Sequence, residues 1–218
     1  MIVKNIVVLI SGSGSNLQTI LDGCADGTLD ARVTAVISNR PGVMGLQRAE
    51  RAGVPALTLD HTLFEGRRAF DTALAELIDR HEPDLVVLAG FMRILTDEFV
   101  RHYQGRMLNI HPSLLPKYAG LHTHQRALDA GDTEAGATVH FVTPELDGGP
   151  PVAQMSVPIE ADDDAASLAK RVLGQEHRLY PEVIRWFVNG RLTLRGDTAW
   201  LDDAPLPKSG RLLDTGTP

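Results

Sequence analysis

Hydrophobic and polar positions alternate along the chain in two rhythms. Ile6-Val7-Val8-Leu9-Ile10 is continuously apolar and mostly β-branched, the pattern of a parallel strand covered on both faces by helices. Ser11-Gly12-Ser13-Gly14-Ser15-Asn16 ends the run, and Leu17, Ile20 and Leu21 follow at helical spacing, so this turn becomes a helix N-terminus. A second strand is expected over Val33–Ile37, a helix near Val43–Ala52, a short strand at Ala56–Leu59 and a long helix within Glu65–Arg80. Phe70, Leu74, Leu77 and Ile78 share one face of that helix. Pro83 introduces Asp84-Leu85-Val86-Val87-Leu88-Ala89-Gly90, a strand apolar enough for the sheet centre. Thr96 caps a helix running through Phe99 and Tyr103, and residues 106–110 return as a strand.

From Ala135 the rhythm becomes an alternating strand that turns through 143–149 and comes back over Val152–Ile159, an antiparallel edge. Asp162-Asp163-Asp164 opens a last long helix in which Pro181 should produce a kink. Its apolar stripe runs through Ala169, Val172, Leu173, Tyr180, Val183, Ile184 and Phe187. The fold class expected is α/β: a Rossmann-like, doubly wound, mostly parallel sheet with an antiparallel edge and a long C-terminal helix.

Composition narrows the function classes. The 218 residues are 43% hydrophobic and 22% charged, and the formal net charge is -7, which argues against a surface built for nucleic-acid phosphates. Met1 to Ile10 is apolar but far shorter than a membrane span and lacks a signal peptide's cleavage region. The single cysteine, Cys24, forms no intramolecular disulfide. A cytoplasmic protein is expected, with no membrane and no nucleic-acid partner.

Candidate chemistry gathers at Asn109-Ile110-His111-Pro112-Ser113-Leu114-Leu115-Pro116. Residues i and i+2 of a strand project to one side, so Asn109 and His111 face one point. Asp147, at the head of Asp147-Gly148-Gly149-Pro150-Pro151, can return a carboxylate to His111. An amide, an imidazole and a carboxylate suit general acid/base work with stabilisation of developing negative charge. Ser113 lacks the strand-to-helix elbow of a serine nucleophile, and His122-Thr123-His124 is expected in a flexible loop rather than on rigid elements, which disfavours a metal held with His111 and Asp147.

The glycine turn, Gly14-Ser15-Asn16, is either a tight turn or a phosphate site at a helix N-terminus. Leu17 stands where a dinucleotide fingerprint has its third glycine, and Ser38-Asn39-Arg40 supplies no acidic residue after strand two, so one phosphate is favoured over NAD. Phe91-Met92-Arg93-Ile94-Leu95 leaves the C-terminal end of the central strand, where ligands of open α/β sheets bind. Arg93 is a surface cation or a site residue, and Ile94 and Leu95 are core or site. Glu176 falls on the apolar stripe of the last helix, so it needs a ligand amine, an internal base or a structural salt bridge. Residues 116–123 have loop composition and suit a mobile lid.

Ser11 to Asn16, Leu88 to Leu95, Asn109 to Pro116 and Leu146-Asp147-Gly148-Gly149, in this order, closely resemble the motifs of the phosphoribosylglycinamide formyltransferases, a folate-dependent family of purine biosynthesis. The resemblance runs from about Lys4 to Leu201. It implies one formyltransferase domain over 1–201, with a phosphate-binding half at 1–105, a catalytic and folate half at 106–201, and a loose tail at 202–218. It implies transfer of the formyl group of 10-formyltetrahydrofolate to the amine of glycinamide ribonucleotide, without a metal, by a monomer or weak homodimer. Asn109 and His111 would hold the tetrahedral intermediate and Asp147 would assist proton transfer. Gly14, Ser15, Asn16 and Glu176 would bind the ribonucleotide. Arg67, Met92, Arg93, Ile94, Leu95, Asn109, Thr143 and Leu146 would bind the folate. The chain departs from the family pattern at Ser13, where Asn is frequent, and at Pro144, which removes one backbone donor from the presumed pterin loop. Related hydrolases and tRNA formyltransferases carry additional domains, and this chain begins directly with its first strand.

Overall fold

A computed structural model describes residues 3–214. Two compact units divide between Asn109 and Ile110. In the first, β1 (Lys4–Ile10), β2 (Ala31–Ser38), β3 (Ala56–Thr58), β4 (Leu85–Leu88) and β5 (Met107–His111, which runs past the division) pair in the order β5-β4-β1-β2-β3. Every pair is parallel. Residues 6–10 and 85–87 are fully buried, which is why these strands are continuous apolar runs with no alternation. The crossovers are α1 (Ser15–Asp26), α2 (Met44–Arg51), α3 (Gly66–Asp79) and α4 (Asp97–His102). Phe70, Leu74 and Ile78 of α3 are buried as their spacing predicts, and Thr96 caps α4 by accepting from Phe99 N at 3.4 Å.

In the second unit β6 (Glu134–Phe141) and β7 (Pro151–Pro158) are antiparallel, with a register shift between Val139 and His140. The long helix α6 (Ala165–Val188) starts at a capping box, where Asp164 Oδ1 accepts from Ser167 N at 2.7 Å and Ser167 Oγ accepts from Asp164 N at 3.0 Å. It continues through Pro181. Its buried face is broader than the predicted stripe: Leu168, Leu179 and Trp186 are also buried, whereas Ala169, Leu173 and Phe187 are half-buried.

Two features depart from the sequence pattern. Helix α5 (Thr123–Asp129) is too short and polar to show an apolar period. Beyond it lie β8 (Leu192–Arg195) and β9 (Thr198–Leu201), and the segment expected to be loose after Leu201 carries β10 (Ala204–Pro205) and β11 (Arg211–Leu212). β10 pairs antiparallel with β9, and β11 pairs parallel with β7. Backbone hydrogen bonding orders this polar stretch without a hydrophobic pattern: Leu206 N donates to Ala199 O at 2.8 Å and Leu213 N to Gln154 O at 2.9 Å. Residues 215–218 of the expected tail lie outside the described residues. The fold class is the Rossmann-like, mostly parallel α/β sheet with an antiparallel edge and long C-terminal helix that the pattern predicts.

Candidate active site

β5 ends at His111, which is 7% exposed. Asn109, two residues earlier on the same strand, is half-buried and shares its face. The turn after β6 delivers the carboxylate: His111 Nδ1 lies 3.4 Å from Asp147 Oδ2, with both side chains largely buried. The sequence therefore foresaw a real meeting of two residues far apart along the chain. Asp147 reaches it from a left-handed backbone, φ 51, a conformation uncommon for a residue with a side chain. Its turn is tight, because a Cβ on Gly149 would sit 1.8 Å from the Phe141 carbonyl oxygen.

The segment after β5 closes on the same pair. The Tyr118 carbonyl oxygen lies 2.9 Å from His111 Nε2, and Gly120 N donates to Asp147 Oδ2 at 2.9 Å. Both His111 nitrogens thus face acceptors. Tyr118, Gly120 and His122 all have positive φ, so the segment is folded back sharply over the strand end.

His140, on β6, escaped the sequence reading. It is buried, its Nδ1 lies 2.9 Å from the Phe141 carbonyl oxygen, and its Nε2 is 3.8 Å from Asp147 Oδ1. Asp147 therefore lies between two imidazoles. Burial drives the His140 pKa down to about 4, against the opposing pull of the Phe141 carbonyl and Asp147. The available signal was a histidine between Val139 and Phe141 near the end of a predicted strand. His124 is likewise held below the ordinary histidine range, by burial and then by the charge of His111.

In the first unit Gly14 is the N-cap of α1 with φ 69, and no side chain caps that end. The first N–H groups of a helix have no intrahelical acceptor, which gives residues 14–16 the character of an anion site. Helix α2 fastens the turn: Gly45 N donates to Gly12 O at 3.0 Å, and Arg48 Nε donates to Ser13 O at 2.8 Å. Gly14 and Asn16 are buried and Ser15 is half-buried.

After β4 the chain exposes Met92 (59%) and Ile94 (56%) while burying Leu95. The Arg93 guanidinium lies 5.5 Å from the Phe70 ring centre, so it is not a free surface cation. Arg67 is exposed in the first turn of α3. Around the Asp147 turn Thr143 is half-buried and Leu146 exposed. Glu176 is 7% exposed among the buried residues of α6. Cys24 is a half-buried thiol whose pKa burial pushes up to about 11, which suits packing rather than nucleophilic chemistry. Among the described residues no group of three or more His, Cys, Asp or Glu is arranged to hold a metal, and no helix is long and apolar enough to cross a membrane.

Residues 4–184 match the family model described as formyl transferase. The chain is 54% identical over 210 residues to the phosphoribosylglycinamide formyltransferase of Escherichia coli (strain K12), covering 96% of this chain and 99% of that one. It is 49% identical to the Haemophilus influenzae enzyme of the same name, covering 95% and 98%. The solved structure of the Coxiella burnetii phosphoribosylglycinamide formyltransferase, in complex with CHES, superposes with a TM-score of 0.92 at 49% identity, covering 97% of this chain and 99% of that chain.

Proposed function

Because the chain belongs to the formyltransferase family, we propose that it transfers the formyl group of 10-formyltetrahydrofolate to the amine of glycinamide ribonucleotide, a step of purine biosynthesis. The observation that carries the mechanism is the buried His111–Asp147 pair at the end of β5, with Asn109 on the same strand face. The ribonucleotide amine attacks the formyl carbon, and the carbonyl oxygen takes up negative charge as the tetrahedral intermediate forms. Asn109 and His111 donate hydrogen bonds to that oxygen. The Tyr118 carbonyl oxygen, 2.9 Å from His111 Nε2, occupies an acceptor position of the kind the oxyanion takes, so residues 118–120 withdraw from the pair when the formyl group enters. Asp147 orients the imidazole and assists movement of the ammonium proton toward the departing folate nitrogen. Collapse of the intermediate breaks the bond from formyl carbon to folate nitrogen and leaves the formyl group on the ribonucleotide.

In this reading Gly14, Ser15 and Asn16 hold the phosphate and Glu176 binds the ribonucleotide. The folate contacts Met92 to Leu95, Asn109, Thr143 and Leu146, and Arg67 faces its anionic end. Residues 1–201 act as one formyltransferase domain. No metal takes part, because the substrate supplies the nucleophile and the side chains stabilise the oxyanion.

Steady-state kinetics of Asn109→Ala and His111→Ala test the assignment. Each loses at least about 10² in kcat while thermal melting shows the fold retained. Normal turnover in either variant removes that residue from the oxyanion site.

A further inference from the structure

Residues 91–96 form no regular secondary structure, yet the central stretch is fixed at both ends by acceptors brought from elsewhere in the same unit. Met92 N donates to Ser11 Oγ at 2.7 Å, and Ser11 Oγ donates its own hydrogen to Asn39 Oδ1 at 2.6 Å. Ser11 N donates to Gly90 O at 3.1 Å. At the other end Thr96 N donates to Asp71 Oδ2 at 2.6 Å. Ser11, Asn39 and Asp71 are all buried, so water does not replace these acceptors without a cavity opening.

Asp71 is a poor device for stability alone. It is 2% exposed, and its Oδ1 is buried without a partner among the described residues. Burial raises its carboxyl pKa although the Thr96 hydrogen bonds and the charges of Arg67 and Arg93 oppose the rise. Arg93 is held over Phe70, the residue before Asp71, with its own Nε buried and without a partner among the described residues. A carboxylate kept in so costly a place fixes a loop amide and faces the charges of Arg67 and Arg93.

We propose that Ser11 and Asp71 are positioning residues of the folate-donor loop, clamping the Met92 and Thr96 amides so that residues 92–95 present one conformation to the donor. This rests on the reading above that residues 92–95 bind 10-formyltetrahydrofolate. Neither residue touches substrate. They act through backbone held in the bound shape in advance, which lowers the ordering cost of binding.

The test compares full-length wild type, Asp71→Ala, Asp71→Asn and Ser11→Ala by steady-state kinetics and by amide hydrogen exchange without ligand. Asp71→Ala raises the KM for 10-formyltetrahydrofolate about tenfold or more, leaves the KM for glycinamide ribonucleotide unchanged, and exposes the Thr96 amide to exchange. Asp71→Asn restores both readouts, because its amide oxygen still accepts from Thr96 N. Ser11→Ala has the same effect on the donor KM and exposes the Met92 amide, and it carries the test if Asp71→Ala does not fold. Unchanged donor KM with unchanged protection overturns the proposal, as does an equal rise in both KM values or Asn behaving like Ala. Should the wild type consume no 10-formyltetrahydrofolate, the substrate reading fails, and the exchange data still decide whether the two acceptors hold the loop.

Discussion

Asp147 meets an imidazole on each side, His111 at 3.4 Å and His140 at 3.8 Å, and the two rings live under different conditions. His111 faces two acceptors; His140 is buried and driven to a pKa of about 4. An unfolded histidine titrates near about 6.5, so between these values the unfolded chain binds more protons than the folded one. Stability therefore falls as pH drops from about 6.5 toward about 4, with no contribution from His140 above that window. Thermal midpoints between pH 7 and 4 should decline less steeply in His140→Asn than in wild type. Identical slopes would remove His140 as a source of acid sensitivity. The meeting of His111 with Asp147 was legible because strand periodicity and a glycine turn are local signals. His140, Ser11 and Asp71 were not, since each matters through a partner on another element: Ser11 Oγ meets Asn39 and Met92, and Asp71 meets Thr96.

Elements with a strong apolar period were legible almost to their ends, as with β1, α3 and the β6–β7 return. Those held by backbone pairing were not: β10 and β11 run through a polar stretch that reads as a tail, and α5 carries no stripe. Tertiary packing also changes what the glycine turn tells an experimenter. Gly14 has φ 69, and a Cβ there would stand 2.7 Å from Gly45 Cα on α2. Gly14→Ala thus strains the backbone and pushes α2 away, whatever binds to the turn. Urea unfolding of this variant should show a loss of at least about 1–2 kcal/mol, and wild-type stability would mean that α2 yields freely. Weakened ribonucleotide binding in a Gly14 variant is consequently not evidence of phosphate contact by itself; substitution at Ser15 isolates that question better.

For the molecule as a whole, the net charge of -7 argues against a surface built for nucleic-acid phosphates. Family membership and the Rossmann-like α/β class were legible because several motifs occur in order on a sheet whose strands are continuous apolar runs. The resemblance put a division between residues 105 and 106, and the two compact units divide between Asn109 and Ile110, within β5. What the whole chain does comes down to which nucleophile takes the formyl group. In the proposed mechanism a ribonucleotide amine and a water molecule would use the same strand end, and they differ in the product formed and in dependence on the second substrate. The decisive measurement is consumption of 10-formyltetrahydrofolate with and without glycinamide ribonucleotide. Formyl transfer predicts turnover only when the ribonucleotide is present, with one formylated ribonucleotide formed per donor consumed. Equal consumption in its absence, with formate released, would contradict it.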